Sequence, residues 1–489
     1  MNLIGGRWVP ARSGRTMEDR NPADGDDLLG EVARGDAADV GDAVDAAKAA
    51  YADWMATPMP ARGDLLRRVG ALIENEKDAL AALTTREMGK TLKEARGDVQ
   101  EGIDFAYFMA GQARAPVGDT VPSELPRKLS MTLRHPIGVV GLITPWNFPI
   151  AIPTWKLWPA LLAGNAVVIK PAEDTPLCAQ RLLELLMEAG LPPGVVNVVQ
   201  GVGEEAGAAL VAHPDIGAIS FTGSLDTGRV IAAECGRQMK RYSMELGSKN
   251  VSIVMPDADI DLAVEGIAWG AFATSGQRCT ATSRVVSLHP DFTAALVDRV
   301  TAYKLGPGHD ESVDLAPLIN RTQRDRVMEY IRVGVEDDRA QLVTGGHVVD
   351  DGDRAKGNYI APTVFADATP GMRIAQEEIF GPVTAVIGAA DLDAAIAAAN
   401  STRFGLSASI YTNDVNAAMR AVTELEFGIV YVNAPTIGAE VQLPFGGMKQ
   451  TGNGFREAGP HALDEFSEWK SASIDFSSRL QKAQFQPGE

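Results

Sequence analysis

The chain has little cysteine, little histidine and a deficit of positive charge. Cys178, Cys235 and Cys279 are the only cysteines in 489 residues. They are unclustered, so they build neither a disulfide framework nor a zinc spacing, and a reducing compartment is expected. The six histidines (His135, His213, His289, His309, His347, His461) form no H-E-x-x-H and no close pair, so no metal site is expected. Lysine and arginine number 45 against 64 aspartates and glutamates, a net charge of −19. That balance opposes sequence-independent binding of nucleic acid, which needs cations facing phosphate, and docking on anionic membranes. No uninterrupted apolar run reaches the roughly 18 residues of a membrane span. The opening MNLIGGRWVP lacks a basic segment followed by an apolar one, so no signal peptide is expected and the expected location is cytoplasmic. There is no internal repeat and no low-complexity block.

What is present is an ordinary globular balance, 45% apolar and 22% charged, in a chain long enough for two or three domains. The first part reads helical. DAADVGDAVDAAKAAYADW (Asp36 to Trp54) and the stretch from PARGDLL to REMG carry strong helix formers at helical spacing. KLSMTLRH then alternates like a strand or hairpin. From Val139 short apolar strands (VVGLIT, AVVIK, VVNVVQ, AISFTG) alternate with helical stretches that close at Gly164 and Gly190. A second alternation runs from SRVVSL to GIVYVN. Strands joined by helical crossovers imply parallel sheets covered on both faces, so the fold class is α/β with two such units. The tail FSEWKSASIDF holds a lone strand that pairs either with the early hairpin or with another subunit.

SGQRCTATSR sets Cys279 among small polar residues, with Arg278 directly before it. A structural cysteine behaves as a small buried hydrophobe, the reading that suits Cys178 and Cys235. A reactive one needs access and nearby positive potential, and Arg278 offers the charge. No histidine adjoins it to support a papain-like pair. GVGEEAG (Gly201 to Gly207) fits the G-x-G-x-x-A dinucleotide fingerprint after a strand, and fits a tight glycine turn equally well. FTGSLDTG (Phe221 to Gly228) is a second such turn, with Ser224 either facing phosphate or capping the helix. Two of these turns in one sheet favour a dinucleotide. VVIKPAED puts Lys170 and Glu173 at a strand's carboxyl end, where open α/β sheets bind ligands. Glu173 suits ribose hydroxyls and repels a 2′-phosphate; the alternative is a solvated pair. Asn147 in ITPWNFPI is either an oxyanion donor or a turn residue. Glu245 in MELGSKN is either a desolvated general base or a strand-end acid at the surface.

TPWNFP, KPAEDTP, FTGS, MELG, GQRC, EEIFGP and PFGGMK occur in this order, and with them the chain resembles the aldehyde dehydrogenase superfamily from about GGRWV to FSEWKS. The resemblance implies three parts: a Rossmann-like cofactor domain (1–117 and 137–247), an α/β catalytic domain (248–446), and a β-hairpin oligomerisation arm (118–136 and 463–489). It implies oxidation of an aldehyde to the acid with NAD, or NADP, and no metal. Cys279 would be the nucleophile, Asn147 with the Cys279 N–H the oxyanion hole, and Glu245 the base that activates water. Splitting the oxidation through a covalent adduct fits general nucleophilic catalysis. Thr144, Pro145, Trp146, Lys170, Glu173, Gly203, Phe221, Gly223, Ser224, Leu246, Glu378 and Phe380 would hold the cofactor. Lys156 matches a family lysine of the same domain. A homodimer or homotetramer is expected.

Two positions depart from the pattern. Ser248 stands where glycine is usual, and costs strain if its backbone needs positive φ. Phe455 precedes Arg456 where glycine is usual, which bears on loop shape. By resemblance Phe148, Trp155 and Phe445 line an aromatic channel. NFPIAIPTWK and GQRCTATSR are similar to 2-oxoglutarate semialdehyde dehydrogenases, and GQRCT and PTIGAE to aminoadipate semialdehyde dehydrogenase. Trp155 stands where succinic semialdehyde enzymes carry arginine. Arg278 either pairs with a substrate carboxylate or is tied to its neighbours. The alternatives are a broad-range aliphatic or aromatic aldehyde dehydrogenase, a CoA-acylating relative, against which Glu245 argues, and a non-catalytic binding protein.

Overall fold

Runs such as VVGLI and AVVIK have no polar face to show to water. The computed structural model, which describes residues 1–482 and 484, buries every residue of both strands. Val139–Ile143 lies between Ala218–Thr222 and Ala166–Lys170, all parallel; Val196–Val198 and Arg241–Glu245 extend the sheet on either side. The chain thus runs outward from Val139–Ile143 in one direction, then reverses to the other. The reversal leaves a crevice at the carboxyl ends of Val139–Ile143 and Ala218–Thr222, the place where such sheets take ligands. An N-terminal hairpin, Asn2–Ile4 and Arg7–Val9, adds an antiparallel edge that hydrophobic patterning did not indicate.

The expected helices form where the formers are densest: Ala37–Ala56, Met59–Asn75, Lys77–Met88 and Leu92–Gln112. Thr91 and Glu94 make a capping box at the start of the last one. Ala151–Ala163 stops at Gly164, whose φ of 100° relieves the helix end without a Cβ penalty. A second sheet orders Thr363–Ala368, Val383–Gly388, Thr282–Ser287, Asn250–Val254, Ser407–Tyr411 and Ile429–Val432 in parallel, with Gln341–Thr344 antiparallel at one edge. The tail strand Ser467–Asp475 pairs with Lys128–Pro136 over its whole length, inside the chain, and Thr120–Val121 lies on the other side of Lys128–Pro136. Leu129, Leu133, Trp469 and Ile474 of this small sheet are exposed. Of the expected arm, residues 483 and 485–489 lie outside the described residues.

Candidate active site

Three consecutive residues before the candidate nucleophile are left-handed: Thr274 and Ser275 at φ 54° and Gly276 at φ 69°. Each non-glycine residue there costs about 1–2 kcal/mol, so the surroundings must hold the turn. They do: the Thr274 N–H donates to Glu94 Oε1 at 2.5 Å, and Ser275 Oγ donates to the Ala316 carbonyl at 2.5 Å. A Cβ on Gly276 would sit 2.1 Å from the Gly381 carbonyl oxygen, so only glycine fits. This strained turn presents Arg278 and Cys279 to a cavity of about 970 Å³ between the two halves of the chain. Glu245, Leu246, Phe148, Trp155 and Phe445 line the same cavity.

Cys279 is half-buried and free. Its surroundings correct the expectation of positive potential: burial, then Glu245, Glu378, Glu457 and Glu101, push the thiol well up. The Arg278 side chain turns elsewhere, its Nε donating to Thr274 Oγ1 at 2.9 Å, its Nη2 3.8 Å from Glu94 Oε1, its guanidinium over the Phe148 ring. Asn147 is buried, and its Nδ2 donates to the Gln277 carbonyl at 3.1 Å, two residues before the thiol. That acceptor fixes which end of the amide faces the loop. The amide oxygen, Oδ1, is buried without a partner.

Glu245 ends its strand at 5% exposure, which removes the surface-acid reading. Oε2 is buried without a partner. Burial first, then Glu457, raise its carboxyl well above the usual range against Lys156 and Arg456. Gly446, with φ 150°, makes room for it: a Cβ there would lie 2.6 Å from Glu245 Oε1. Phe445, the neighbour of that glycine, meets Trp155 edge to face at 4.9 Å.

The candidate cofactor residues lie along the crevice, with Leu246 shared between it and the cavity. Thr144 follows Val139–Ile143, its N–H donating to the Lys170 carbonyl at 3.3 Å and its Oγ1 buried without a partner. Lys170 Nζ and Glu173 Oε2 pair at 2.7 Å. Burial raises the Glu173 carboxyl, but Lys170 and the backbone N–H groups of Glu173 and Gly203 together outweigh it, and the net shift is downward. Gly203 opens a π-helical turn, Gly203–Gly207, and a Cβ there would meet nothing within 4 Å. Ser224 caps Leu225–Arg237, accepting the Thr227 N–H at 3.2 Å and donating to Thr227 Oγ1 at 2.9 Å. Phe221 is buried with its ring beneath Gly223, where a Cβ would collide at 2.5 Å. Leu246 donates its N–H to the Thr451 carbonyl and packs on Gly228. Across the crevice, Trp146, the residue after Pro145, meets Phe380 edge to face at 5.4 Å. Phe380 is itself left-handed at φ 58°. Glu378 accepts the Ser248 N–H at 2.9 Å, and burial raises it to about 7. A free hydroxyl at a strand end, a vacant glycine edge, a helix N-terminus and a Lys–Glu pair together suit a dinucleotide.

Two departures resolve differently from expectation. Ser248 is not among the positive-φ residues, so no strain arises; its hydroxyl donates to the Cys279 carbonyl, which Asn250 Nδ2 also reaches at 2.7 Å. Phe455 is a platform for Arg241, whose guanidinium lies 5.3 Å from the ring centroid.

Several site residues escaped the sequence. Glu457 lies beside Glu245 and accepts from the buried Lys156 ammonium, which also donates to Ser220 Oγ at 2.8 Å. Lys156 therefore serves this pair. Glu94, Asp98 and Glu101 line the cavity from the helix Leu92–Gln112; their i, i+4, i+7 spacing was a legible sign of one face. Asp98 pairs with the fully buried Lys90 at 3.1 Å. Burial, then Asp98, push the Glu101 carboxyl up to about 8. Among the described residues no helix is long and apolar enough to cross a membrane, and no cluster of side chains could hold a metal ion.

Known proteins resemble this chain in sequence and in fold. Residues 8–472 match the model of the Aldehyde dehydrogenase family. An alpha-ketoglutaric semialdehyde dehydrogenase of Bacillus subtilis is 40% identical over 97% of this chain and 98% of its own. A 2,5-dioxopentanoate dehydrogenase of Saccharolobus solfataricus is 41% identical over 95% and 97%. The crystal structure of a betaine aldehyde dehydrogenase from Staphylococcus aureus, in complex with NAD+, superposes with a TM-score of 0.95 at 34% identity, over 98% of this chain and 95% of that one. The chain belongs to the aldehyde dehydrogenase family, as an enzyme that oxidises an aldehyde to the carboxylic acid with NAD(P).

Proposed function

We propose that the substrate is a short aldehyde carrying a carboxylate, with 2-oxoglutarate semialdehyde first, and that NAD is preferred over NADP. The observation that carries this reading is Arg278, a permanent cation on the cavity wall one residue from Cys279. The relatives named for such semialdehydes support it. Glu173, whose carboxyl Lys170 holds ionised, suits ribose hydroxyls and repels a 2′-phosphate.

In this reading Cys279 loses its thiol proton to solvent in the cavity as Sγ adds to the aldehyde carbon, and the Asn147 amide with the Cys279 N–H receives the oxyanion. A dinucleotide held by Lys170, Glu173, Ser224 and Glu378 would supply the acceptor for the aldehydic hydrogen and its electron pair. Glu245, unpartnered at Oε2, takes a proton from the water that cleaves the thioester on Cys279. Trp146 and Phe380 wall the crevice from opposite sides. Residues 1–117 and 137–247 form the cofactor domain and 248–446 the catalytic domain. The exposed Leu129, Leu133, Trp469 and Ile474 support 118–136 and 463–489 as the arm of a homodimer or homotetramer.

The aromatic wall of Phe148, Trp155 and Phe445 favours a second reading, a broad-range enzyme for neutral aldehydes. Kinetics of Arg278→Ala decide between them. With the anchor lost, kcat/KM on acidic aldehydes falls about 10- to 100-fold, while neutral aldehydes of equal length are unaffected. An equal loss on both sinks the anchoring role. The same panel, run with each dinucleotide, reads the cofactor preference.

A further inference from the structure

Besides Glu245, the substrate cavity holds one more carboxyl that the described chain leaves without a partner. Glu94 is spent on Thr91 and Thr274, and Asp98 on Lys90 and the Ala151 N–H. Glu101, on the same helix face and one turn further along, makes no hydrogen bond or ion pair within the described chain, yet lines the cavity with Trp155 and Cys279. Its charged neighbours are Asp98 and Asp104 on its own helix, and Lys90 and Arg278 across from it. Its field also reaches the Cys279 thiol and the Tyr431 phenol. The cations there are partly committed: Lys90 lies against Asp98 and 3.8 Å from the Phe148 ring centroid, and Arg278 leans on Thr274.

An anionic aldehyde paired with Arg278 shares the cavity with this carboxyl and lies within its field. As an acid it has an O–H to donate; as a carboxylate it has only charge of the substrate's own sign. We propose that Glu101 is a specificity residue that admits acidic aldehydes in its protonated form, donating to the substrate's distal oxygens beside Arg278, and excludes them once ionised. The inference rests on the acidic-substrate reading above. Neutral aldehydes use the same channel but carry no charge for the switch to repel, so their KM does not follow it.

The test is KM against pH, from about 6.5 to 9.5, for 2-oxoglutarate semialdehyde and for pentanal, in wild type and Glu101→Gln. If acid turnover is too slow, the inhibition constant of 2-oxoglutarate against pentanal is read instead. With a titration near 8, KM for the acidic aldehyde rises roughly thirtyfold between pH 7 and 9.5 in wild type if only the acid form admits it. Pentanal stays level. Glu101→Gln, which keeps a donor and cannot ionise, flattens the acidic-aldehyde profile and at pH 7 stays within about threefold of wild type. The same rise in Glu101→Gln, or an equal rise for pentanal, overturns the proposal. Matched thermal melting of the variant excludes misfolding. A wild type with no preference for the acid over pentanal at pH 7 overturns the substrate reading instead, and the slope comparison still decides the role of Glu101.

Discussion

Gly446 tests whether Glu245 acts through its position. Alanine there places Cβ 2.6 Å from Glu245 Oε1 and 2.8 Å from Arg456 Cδ, at a φ of 150° that L residues avoid. Ordinary contact is about 3.4 Å, so the carboxylate must move by about 0.8 Å. It is buried, with Glu457 beside it, so it cannot swing into solvent. The backbone adds about 1–3 kcal/mol of strain, read as a lower melting temperature. A displacement near 1 Å at a reacting group costs about 100-fold. In the proposed mechanism Glu245 serves thioester hydrolysis and not attack by the thiol, so the loss falls on one step. Rapid-mixing kinetics of Gly446→Ala should show a first turnover of reduced nicotinamide within about threefold of wild type, followed by a steady state about 100-fold slower. A burst slowed by the same factor as the steady state, or an unchanged kcat, refutes the assignment of Glu245 to deacylation.

Cys279→Ala removes the proposed nucleophile: aldehyde turnover drops to background while dinucleotide still quenches protein fluorescence, and near-native turnover would end the covalent account. Ser248→Gly loses a hydroxyl bond to the Cys279 carbonyl and relieves no strain, so stability falls by about 1 kcal/mol; a higher melting temperature would contradict this. Burial lifts Glu378 from 4.5 to about 7. The folded state then binds the proton more tightly than the unfolded chain, and stability declines as pH rises from 4.5 to about 7, by up to about 3 kcal/mol. Glu378→Gln should flatten that decline in melting temperature, and an unchanged pH profile would show the carboxyl titrates normally.

The two alternations of strand and helix were legible because parallel sheets bury both faces and leave long apolar signatures. Helix ends at Gly164 and Gly190 were legible from glycine alone. The N-terminal hairpins, Asn2–Ile4 with Arg7–Val9 and Thr16–Arg20 with Leu28–Ala33, left no such mark, since strands this short hold too few residues for a period of two to show. Ser224 had two readings in the sequence, and the local geometry shows the cap.

By itself the sequence determined the fold class, the family, and the residue types at Cys279, Glu245 and Asn147, because local pattern and motif order are one-dimensional properties. Only the tertiary structure decided what surrounds them. Glu457 stands 178 positions after Cys279 in the chain and Glu101 the same number before it, yet both act on its thiol. Electrostatic energy depends on distance and burial in space. The neighbour in sequence, Arg278, supplies less to the sulfur than carboxylates brought in from distant helices and loops, and that inversion is invisible until the chain is folded.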